Sequence, residues 1–197
     1  MKKIIPIGIV LLIIIWLVSS YFTNYNRFVE MDENVEGQWA QVETAYQRRA
    51  DLIPNLVETV KGYADFEQET LTGVIEARAK ATQVNVDPSN LTPEAIAQFE
   101  EAQQGLTSAL SRLLVTVERY PNLKADQQFL NLQAQLEGTE NRIAVARNRY
   151  NESVRDYNQT IRRFPAQIYA NIAGFEQKGY FEAAEGSDQA PQVNFDD

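Results

Sequence analysis

The chain has 197 residues and contains neither cysteine nor histidine. These two absences exclude disulfide bonds, thiolate nucleophiles, iron–sulfur clusters, imidazole bases and histidine zinc ligands. Acidic residues outnumber basic residues by 27 to 18, which gives a formal net charge of -9. Because nucleic-acid binding depends on a basic surface that releases phosphate counterions, this charge argues against a nucleic-acid partner.

The first apolar segment follows a short basic start, residues 1–3. Residues 4–22 carry no charge, and as a helix they would rise about 28 Å, close to the hydrocarbon thickness of a bilayer. Trp16, Tyr21 and Phe22 lie near the far end, where aromatic rings favour the membrane interface. We therefore predict a transmembrane helix over residues 4–22 that anchors the chain in the lipid bilayer.

A cleaved signal peptide is the alternative interpretation of this segment, because a basic start, an apolar core and small residues near its end also fit that description. The apolar run fills or exceeds the usual signal core of about 7–15 residues, and residues 18–20 match a cleavage site poorly. These features favour the uncleaved anchor. Lys2 and Lys3 precede the segment, whereas Arg27 alone follows shortly after it, which predicts a cytoplasmic N-terminus and a body outside the cytoplasm.

Three segments beyond the anchor space their apolar residues three and four apart, as on one face of a helix. They cover residues 35–63, with a weaker continuation to Ala77, residues 96–120 and residues 129–164. None of them shows the period of two that is typical of a strand. The sequence thus predicts an all-α fold, in which the transmembrane helix precedes an antiparallel up-and-down bundle of long helices over residues 28–181.

Prolines and turn residues predict where the helices begin and end. Residues 83–90 are rich in turn formers, and the Thr-Pro pair at residues 92–93 predicts an N-cap and a first helical position. Pro121 and Pro165 are expected to stop the second and third helices. Pro54 lies inside the first apolar segment, where it predicts a kink or a joint between two helices.

The end of the chain divides at residue 182. Between Pro165 and Phe181 the apolar residues predict a return onto the bundle that includes a short helix. Residues 182–197 are acidic and rich in small polar residues, so we predict a disordered tail. An extended stretch at residues 191–195 that binds a partner is the less favoured alternative.

Charged residues on or beside the apolar faces are the candidates for a functional site, because an unpaired buried charge is costly. Arg49 occupies an apolar-face position and Glu67 continues that face. Glu140 and Arg147 flank the third face, seven residues apart. The four indicate a carboxylate and arginine site for a small anion or metal or, as the preferred interpretation, salt bridges that fix the register of the helices.

The pairs Tyr150-Asn151 and Tyr157-Asn158 recur one heptad apart. On a helix this spacing stacks two rings on one face with two amides beside them. Recognition of a peptide or glycan is one interpretation. The preferred interpretation is that the tyrosines belong to the core and that their hydroxyls reach partners at its edge.

Motifs for catalysis and cofactor binding are absent from the sequence. There is no phosphate-binding glycine loop, no EF-hand spacing and no S-x-x-K. The di-iron sites of helical bundles need Glu-x-x-His pairs, which a chain without histidine lacks. We therefore expect no enzymatic activity, no cofactor and no resident metal.

One long stretch, YQRRADLIPNLVETVKGYA at residues 46–64, closely resembles the first-helix signature of LemA family proteins. The likeness covers essentially the whole chain and continues through Trp39, Ala77-Arg78, residues 118–125, residues 129–141, Ala146-Arg147, Tyr150-Asn151, Tyr157-Asn158, Phe164-Pro165 and residues 180–182. The resemblance implies a bacterial membrane protein that keeps its N-terminal transmembrane helix, has an antiparallel helical bundle and has no established enzymatic activity. It implies no catalytic residues.

Together these features predict a non-enzymatic, single-pass protein of the cell membrane, whose bundle acts as a scaffold or adaptor for other membrane or envelope proteins. One alternative is a self-assembling structural protein, in which the anchor and an unpaired apolar helix face drive homo-oligomers. The other, less favoured, is a bundle that binds a ligand through its carboxylates and arginines.

Overall fold

The computed structural model describes residues 4–63 and 67–182, with side chains from residue 8 onward. Within these ranges the chain forms α-helices and one short 3-10 helix, with no strand, so the predicted all-α fold is confirmed. The α-helices are α1 (Ile4–Lys61), α2 (Gln68–Gln83), α3 (Pro93–Val117), α4 (Pro121–Lys124), α5 (Gln127–Arg162) and α6 (Ala166–Ala173). The predictions for residues 1–3 and 183–197 lie outside the described residues.

Helix α1 carries both the apolar N-terminal segment and the first helix of the bundle. It has 58 residues and is therefore about 87 Å long. It contains an 18-residue window with a mean hydropathy of 1.7, none of which is buried, so it is long and apolar enough to cross a membrane. From Phe28 onward the same helix presents a buried apolar face, which includes Trp39 and Leu56.

Helix α1 is continuous through Pro54, so the predicted joint between two helices at this residue is wrong. A proline inside a helix removes the hydrogen bond to the carbonyl four residues earlier, which here belongs to Ala50. That carbonyl accepts a hydrogen bond from Arg78 Nε at 2.8 Å instead. Ile53 and Leu56, on either side of the proline, are both buried, so packing against the bundle also holds the helix together.

Helices α2 and α5 run back along α1, whereas α3 runs in the same direction as α1. The weaker continuation of the first apolar pattern forms α2, a separate helix that pairs with α3. Helix α5 lies antiparallel to α1, so that the start of α5 packs beside the end of α1. It covers nearly the same residues as the third apolar segment, residues 129–164, and residues 121–124 before it form the separate short helix α4.

Side-chain caps define two of the helix starts. Thr92 Oγ1 accepts a hydrogen bond from the Ala95 amide at 3.2 Å and Pro93 occupies the first helical position of α3, as predicted. The carboxylate of Asp126 caps α5 by accepting from the amides of Gln128 and Phe129 at 2.8 and 2.9 Å. These hydrogen bonds, chiefly that from Phe129, lower the pKa of Asp126.

The core consists of two clusters along the bundle axis. The anchor-side cluster lies next to the apolar N-terminal segment and contains Phe28, Trp39, Phe99, Tyr150 and Phe181 among its buried members. The far cluster surrounds the end of α1, the end of α3 and the start of α5, and its buried members include Leu56, Val60, Leu113, Val117 and Phe129. Polar residues lie where the two clusters meet.

The chain returns onto the bundle after α5, as predicted. Helix α6 ends at Ala173 and is followed by Gly174, whose φ of +79° lies in the left-handed region, a conformation that glycine adopts without strain. Residues 175–182, which we call the strap, then run back along α5 in the opposite direction. Lys178, Gly179 and Phe181 of the strap are buried.

Candidate functional site

Arg49 is the most deeply buried charged residue of the described chain, with 1% of its surface exposed. Its Nη1 donates to Thr107 Oγ1 at 2.9 Å and to Glu140 Oε1 at 3.0 Å. Its Nη2 donates to Gln103 Oε1 at 2.7 Å and approaches the Gln103 carbonyl at 3.3 Å. The guanidinium therefore joins α1 to α3 and α5 at the level between the two core clusters.

Gln103, a partner of Arg49, extends this link to α2. Gln103 Nε2 donates to the carbonyl of Ala81, at the end of α2, at 3.1 Å. The ring of Tyr46 lies 5.0 Å from the guanidinium carbon, and burial raises the pKa of this tyrosine. Both terminal nitrogens of the guanidinium therefore donate to groups of the bundle itself, so the polar contacts of Arg49 connect four helices.

Arg147 forms a second centre, in which the strap takes part. Its guanidinium pairs with Glu100 of α3 and donates from Nη2 to the carbonyl of Glu182 at 2.8 Å. The other oxygen of Glu100 accepts from the Glu182 amide at 3.2 Å, and the guanidinium carbon lies 4.7 Å from the Phe181 ring centre. This centre thus joins α3, α5 and the end of the strap.

Glu67 lies apart from both centres. It precedes α2 and pairs with Arg119, which follows α3, at 2.8 Å; both side chains are largely exposed. Of the four residues singled out in the sequence, the structure brings Arg49 and Glu140 together, whereas Glu67 and Arg147 each pair with a residue outside that set. The four do not surround one pocket.

The two asparagines on α5 bind the backbone of the strap. Asn158 donates to the Lys178 carbonyl at 2.9 Å and accepts from the Lys178 amide at 3.0 Å. Asn151 makes the same pair of hydrogen bonds with Phe181, at 2.9 and 3.0 Å. One heptad of helix rises about 10.5 Å, and three residues of extended chain span about 10 Å, so the two spacings match. The peptide that these amides recognise therefore belongs to the chain itself.

Other contacts hold the strap between these two asparagines. Tyr150 donates its hydroxyl to the Gly179 carbonyl at 3.0 Å, and the Gly179 amide donates to the Leu91 carbonyl at 2.8 Å. Lys178 Nζ pairs with Asp32 of α1 at 2.7 Å, and this lysine is only 8% exposed. The hydroxyl partner of Tyr150 fits the preferred interpretation that the tyrosines belong to the core, and both Tyr150 and Tyr157 are buried.

Sequence reasoning missed Gln103 and Thr107 of the Arg49 centre, Glu100 of the Arg147 centre, and Lys178 of the strap. Only Gln103 has a detectable signal, because it falls on the apolar face of α3 between Phe99 and Leu106. Nothing in the local sequence distinguishes Glu100 and Lys178 from other charged residues, because their contacts depend on where the strap lies.

The described part of the chain shows no group of three or more acidic, histidine or cysteine residues placed to hold a metal ion. The buried tyrosines are not set up as bases either. Burial raises the pKa of Tyr150 and Tyr157, so both hydroxyls stay protonated at neutral pH, and that of Tyr150 is already used as a donor to the strap.

An open groove of about 650 Å³ lies between α1 and α5 on the outside of the bundle. Its floor consists of small residues of α1 such as Ala40 and Ala45, and Arg48, Arg142 and Arg149 stand at its sides. Its lining contains no carboxylate. Within the described residues no acidic side chain pairs with these three arginines, so this groove is basic on an acidic protein.

A continuous helix that leads from an exposed apolar segment into the core of a helical bundle defines a membrane-anchored helical-bundle protein. The sequence profile of the LemA family matches residues 38–195, and the chain belongs to the LemA family.

Individual relatives agree with this assignment. The chain is 26% identical over 209 residues to the magnetosome protein MamQ of Magnetospirillum gryphiswaldense. The aligned region covers 95% of this chain and 76% of that protein. The chain is 26% identical over 194 residues to the magnetosome protein MamQ 1 of Paramagnetospirillum magneticum, covering 89% and 71%. It is 25% identical over 192 residues to the protein LemA of Metamycoplasma hominis, covering 93% and 84%.

Proposed function

We propose that this LemA family protein is a non-enzymatic, single-pass protein of the bacterial cell membrane whose bundle acts as a scaffold for partner proteins of the envelope. Its N-terminus lies in the cytoplasm and its body outside. The observation that carries the proposal is the continuity of α1 from Ile4 to Lys61. A flexible linker would let the body tumble, whereas a continuous helix presents the bundle at a fixed orientation to the membrane.

Aromatic contacts support this fixed orientation. The ring of Tyr21, near the end of the apolar segment, lies 5.9 Å from Tyr169 of α6. One turn further along α1, the ring of Tyr25 lies 5.7 Å from that of Phe175. Because edge-on aromatic pairs add to the energy of burial, these contacts hold the base of the bundle against α1 where the helix leaves the membrane.

The groove between α1 and α5 is the surface that we assign to partner binding. Small residues on its floor let a helix or extended segment approach closely, and its three arginines favour a segment that carries Asp or Glu. The guanidiniums can bind carboxylates in a bidentate manner, which gives the docked segment a defined register. We therefore infer that the partner offers an acidic segment.

Photo-crosslinking in living cells tests this assignment. A crosslinking amino acid replaces Val145, which lines the groove and is 50% exposed, or Ile75, which lies on α2 and is 46% exposed. We expect a discrete crosslinked partner from position 145 that is absent from position 75 and is lost in the variant Arg142→Glu/Arg149→Glu. Equal crosslinking from both positions, or crosslinks that survive the charge reversal, would contradict the assignment.

The proposed topology has a separate test. Because the natural chain has no cysteine, a single Val115→Cys substitution in the body gives a label site without background. We expect a membrane-impermeant maleimide to label it in intact cells, after removal of any outer barrier. Labelling only after lysis would place the body in the cytoplasm.

Self-assembly is the second candidate function. It is favoured by the apolar N-terminal part of α1, because the 18-residue apolar window there has no residue buried within the chain. It predicts that the full-length protein forms large particles in mild detergent and that these disappear when residues 1–22 are removed. A sharply monomeric full-length protein would count against it.

A further inference from the structure

Helix α6 is apolar on two opposite faces. Ala166, Tyr169 and Ala170 face the anchor-side cluster. On the outside, Ile168 and Ile172 are 49% and 69% exposed. Phe164, which precedes the helix, is 83% exposed. Gln167 and Asn171 lie between the two faces and are exposed. An amphipathic helix normally exposes polar residues opposite its buried face, yet here the outer face is apolar and nothing within the described chain covers it.

The position of α6 relative to the anchor is fixed by the pair of rings between Tyr169 and Tyr21, whose centres are 5.9 Å apart. Tyr21 belongs to the last turn of the apolar segment over residues 4–22, where the segment reaches the surface of the hydrocarbon. Since α6 contacts this turn directly, and a helix with its side chains is about 10–12 Å across, α6 would lie at the level of the lipid headgroups when residues 4–22 span the membrane.

The charges beside α6 fit such a position. Helix α6 itself contains no charged residue. Immediately before it, Arg162 and Arg163 are exposed at the end of α5, and Arg27 is exposed on α1 just beyond the apolar segment. Arginine side chains at the membrane surface attract anionic headgroups and can extend their guanidiniums to them. Three exposed arginines therefore lie beside α6, together with the exposed Glu30 of α1 and Glu176 of the strap.

We propose that α6 is a second membrane contact, which lies in the bilayer interface beside the transmembrane segment. Phe164, Ile168 and Ile172 insert at the boundary between headgroups and acyl chains, and Arg162 and Arg163 bind anionic headgroups. The lipid surface is the occupant because the exposed face continues directly from the anchor and is flanked by arginines. This inference rests on the transmembrane segment of α1 and is independent of the scaffold role and of the side on which the body lies.

Fluorescence quenching by lipids tests this contact in the full-length protein. The variant Ile172→Cys is labelled with an environment-sensitive nitrobenzoxadiazole dye and reconstituted into vesicles of phosphatidylcholine with phosphatidylglycerol. Val115→Cys is the matched control, because Val115 is similarly exposed, at 71%, and lies in the last turn of α3 at the far cluster. We expect a blue-shifted emission at position 172 that is quenched several-fold more by headgroup-proximal spin-labelled lipids than the emission at position 115.

The lipid composition and the arginines provide the second arm of the test. Removing phosphatidylglycerol, or substituting Arg162→Gln/Arg163→Gln, should reduce the quenching at position 172. Equal quenching at positions 172 and 115 would overturn the proposal. A blue shift at position 172 without quenching by lipid would also overturn it, because the face would then be covered by a second copy of the chain.

Discussion

Arg78 of α2 donates a hydrogen bond to the carbonyl of Ala50, the one carbonyl of α1 that Pro54 deprives of its helical donor. The proline and the arginine thus form a matched pair across two helices, although they lie 24 positions apart in the sequence. The free carbonyl gives α2 a fixed attachment point on α1. The hydrogen bond that α1 lacks at Pro54 thus leaves an acceptor to which α2 binds.

A double-mutant cycle tests this relationship. Arg78→Ala should lower the free energy of unfolding by about 1–2 kcal/mol, because it leaves the Ala50 carbonyl without a donor. In the Pro54→Ala background the alanine amide can bond to that carbonyl, so the cost of Arg78→Ala should fall markedly. Chemical unfolding of the full chain in detergent, followed by circular dichroism, measures both costs.

The control for this cycle is Arg112→Ala, since Arg112 is exposed and its Nε donates only to Ser108 of its own helix. We expect a change within about 0.5 kcal/mol. An equal cost of Arg78→Ala with and without the proline would show that the arginine acts independently of the break.

The helices could be predicted from the sequence because their signals are local. The apolar spacing and the Thr92-Pro93 start each depend on residues within a few turns of one another. The continuity of α1 at Pro54 could not be predicted in this way, because it depends on Arg78, a residue of another helix. Local signals locate a proline in a helix, but tertiary contacts decide whether the helix continues.

Gly179 is the position at which the strap passes closest to another element. A Cβ atom there would lie 2.7 Å from Pro93 Cα and 2.9 Å from the Thr92 carbonyl oxygen, closer than packed atoms allow. Gly179→Ala should therefore displace the strap and cost about 1–3 kcal/mol of stability. We expect increased amide hydrogen exchange over residues 175–182 as well as a lower unfolding midpoint.

Gly105→Ala is the matched control for this substitution. A Cβ atom at Gly105 meets nothing within 4 Å, and the residue lies inside α3. Alanine has the better helix propensity, so this variant should gain about 0.5–1 kcal/mol. If both variants changed stability in the same direction, the close approach of Gly179 to Pro93 would not explain the effect of Gly179→Ala.

Asn158 supports the strap through its side-chain amide. Asn158→Ala leaves both the amide and the carbonyl of Lys178 without partners in a buried position, which should cost about 2–4 kcal/mol. The exposed Asn148 on the same helix provides the control, and Asn148→Ala should change stability by less than about 0.5 kcal/mol. Thermal unfolding of both variants in the same detergent measures the difference.

The polar centres were only partly predictable from the sequence. Arg49 stands out because it interrupts an apolar face, and Glu140 because it flanks the face of the opposing helix. The sequence is compatible with recognition of a peptide or glycan by Asn151 and Asn158, since an asparagine that binds a backbone carries no mark of which backbone it binds. The folded structure shows that they bind the backbone of Lys178 and Phe181 in the strap.

The pair of Arg49 and Glu140 should respond asymmetrically to substitution. The side chain of Arg49 is 2% exposed and that of Glu140 is 46% exposed. Arg49→Ala removes a buried link between helices and leaves Gln103 without its donor, so it should cost about 3 kcal/mol or more. Glu140→Gln keeps an acceptor for the guanidinium and should cost about 1 kcal/mol or less. Similar costs for the two variants would show that the ion pair dominates over the buried hydrogen bonds.

Tyr150 and Tyr157 should make the bundle unstable at high pH. Burial raises the pKa of both hydroxyls in the folded chain above the usual value of about 10. The folded state then holds its protons over a range in which the unfolded chain has lost them. The stabilisation is therefore complete below about pH 10 and declines as the pH rises through the folded values.

Unfolding midpoints measured between pH 8 and pH 11 check this expectation. We expect the midpoint of the natural chain to fall above about pH 10. Tyr150→Phe loses the hydrogen bond to Gly179 and starts from a lower midpoint, but it should show a shallower decline because one titrating group is gone. Tyr180→Phe, at an exposed tyrosine of the strap, should keep the natural slope. An identical slope in the natural chain and in Tyr150→Phe would mean that this buried hydroxyl does not control the alkaline transition.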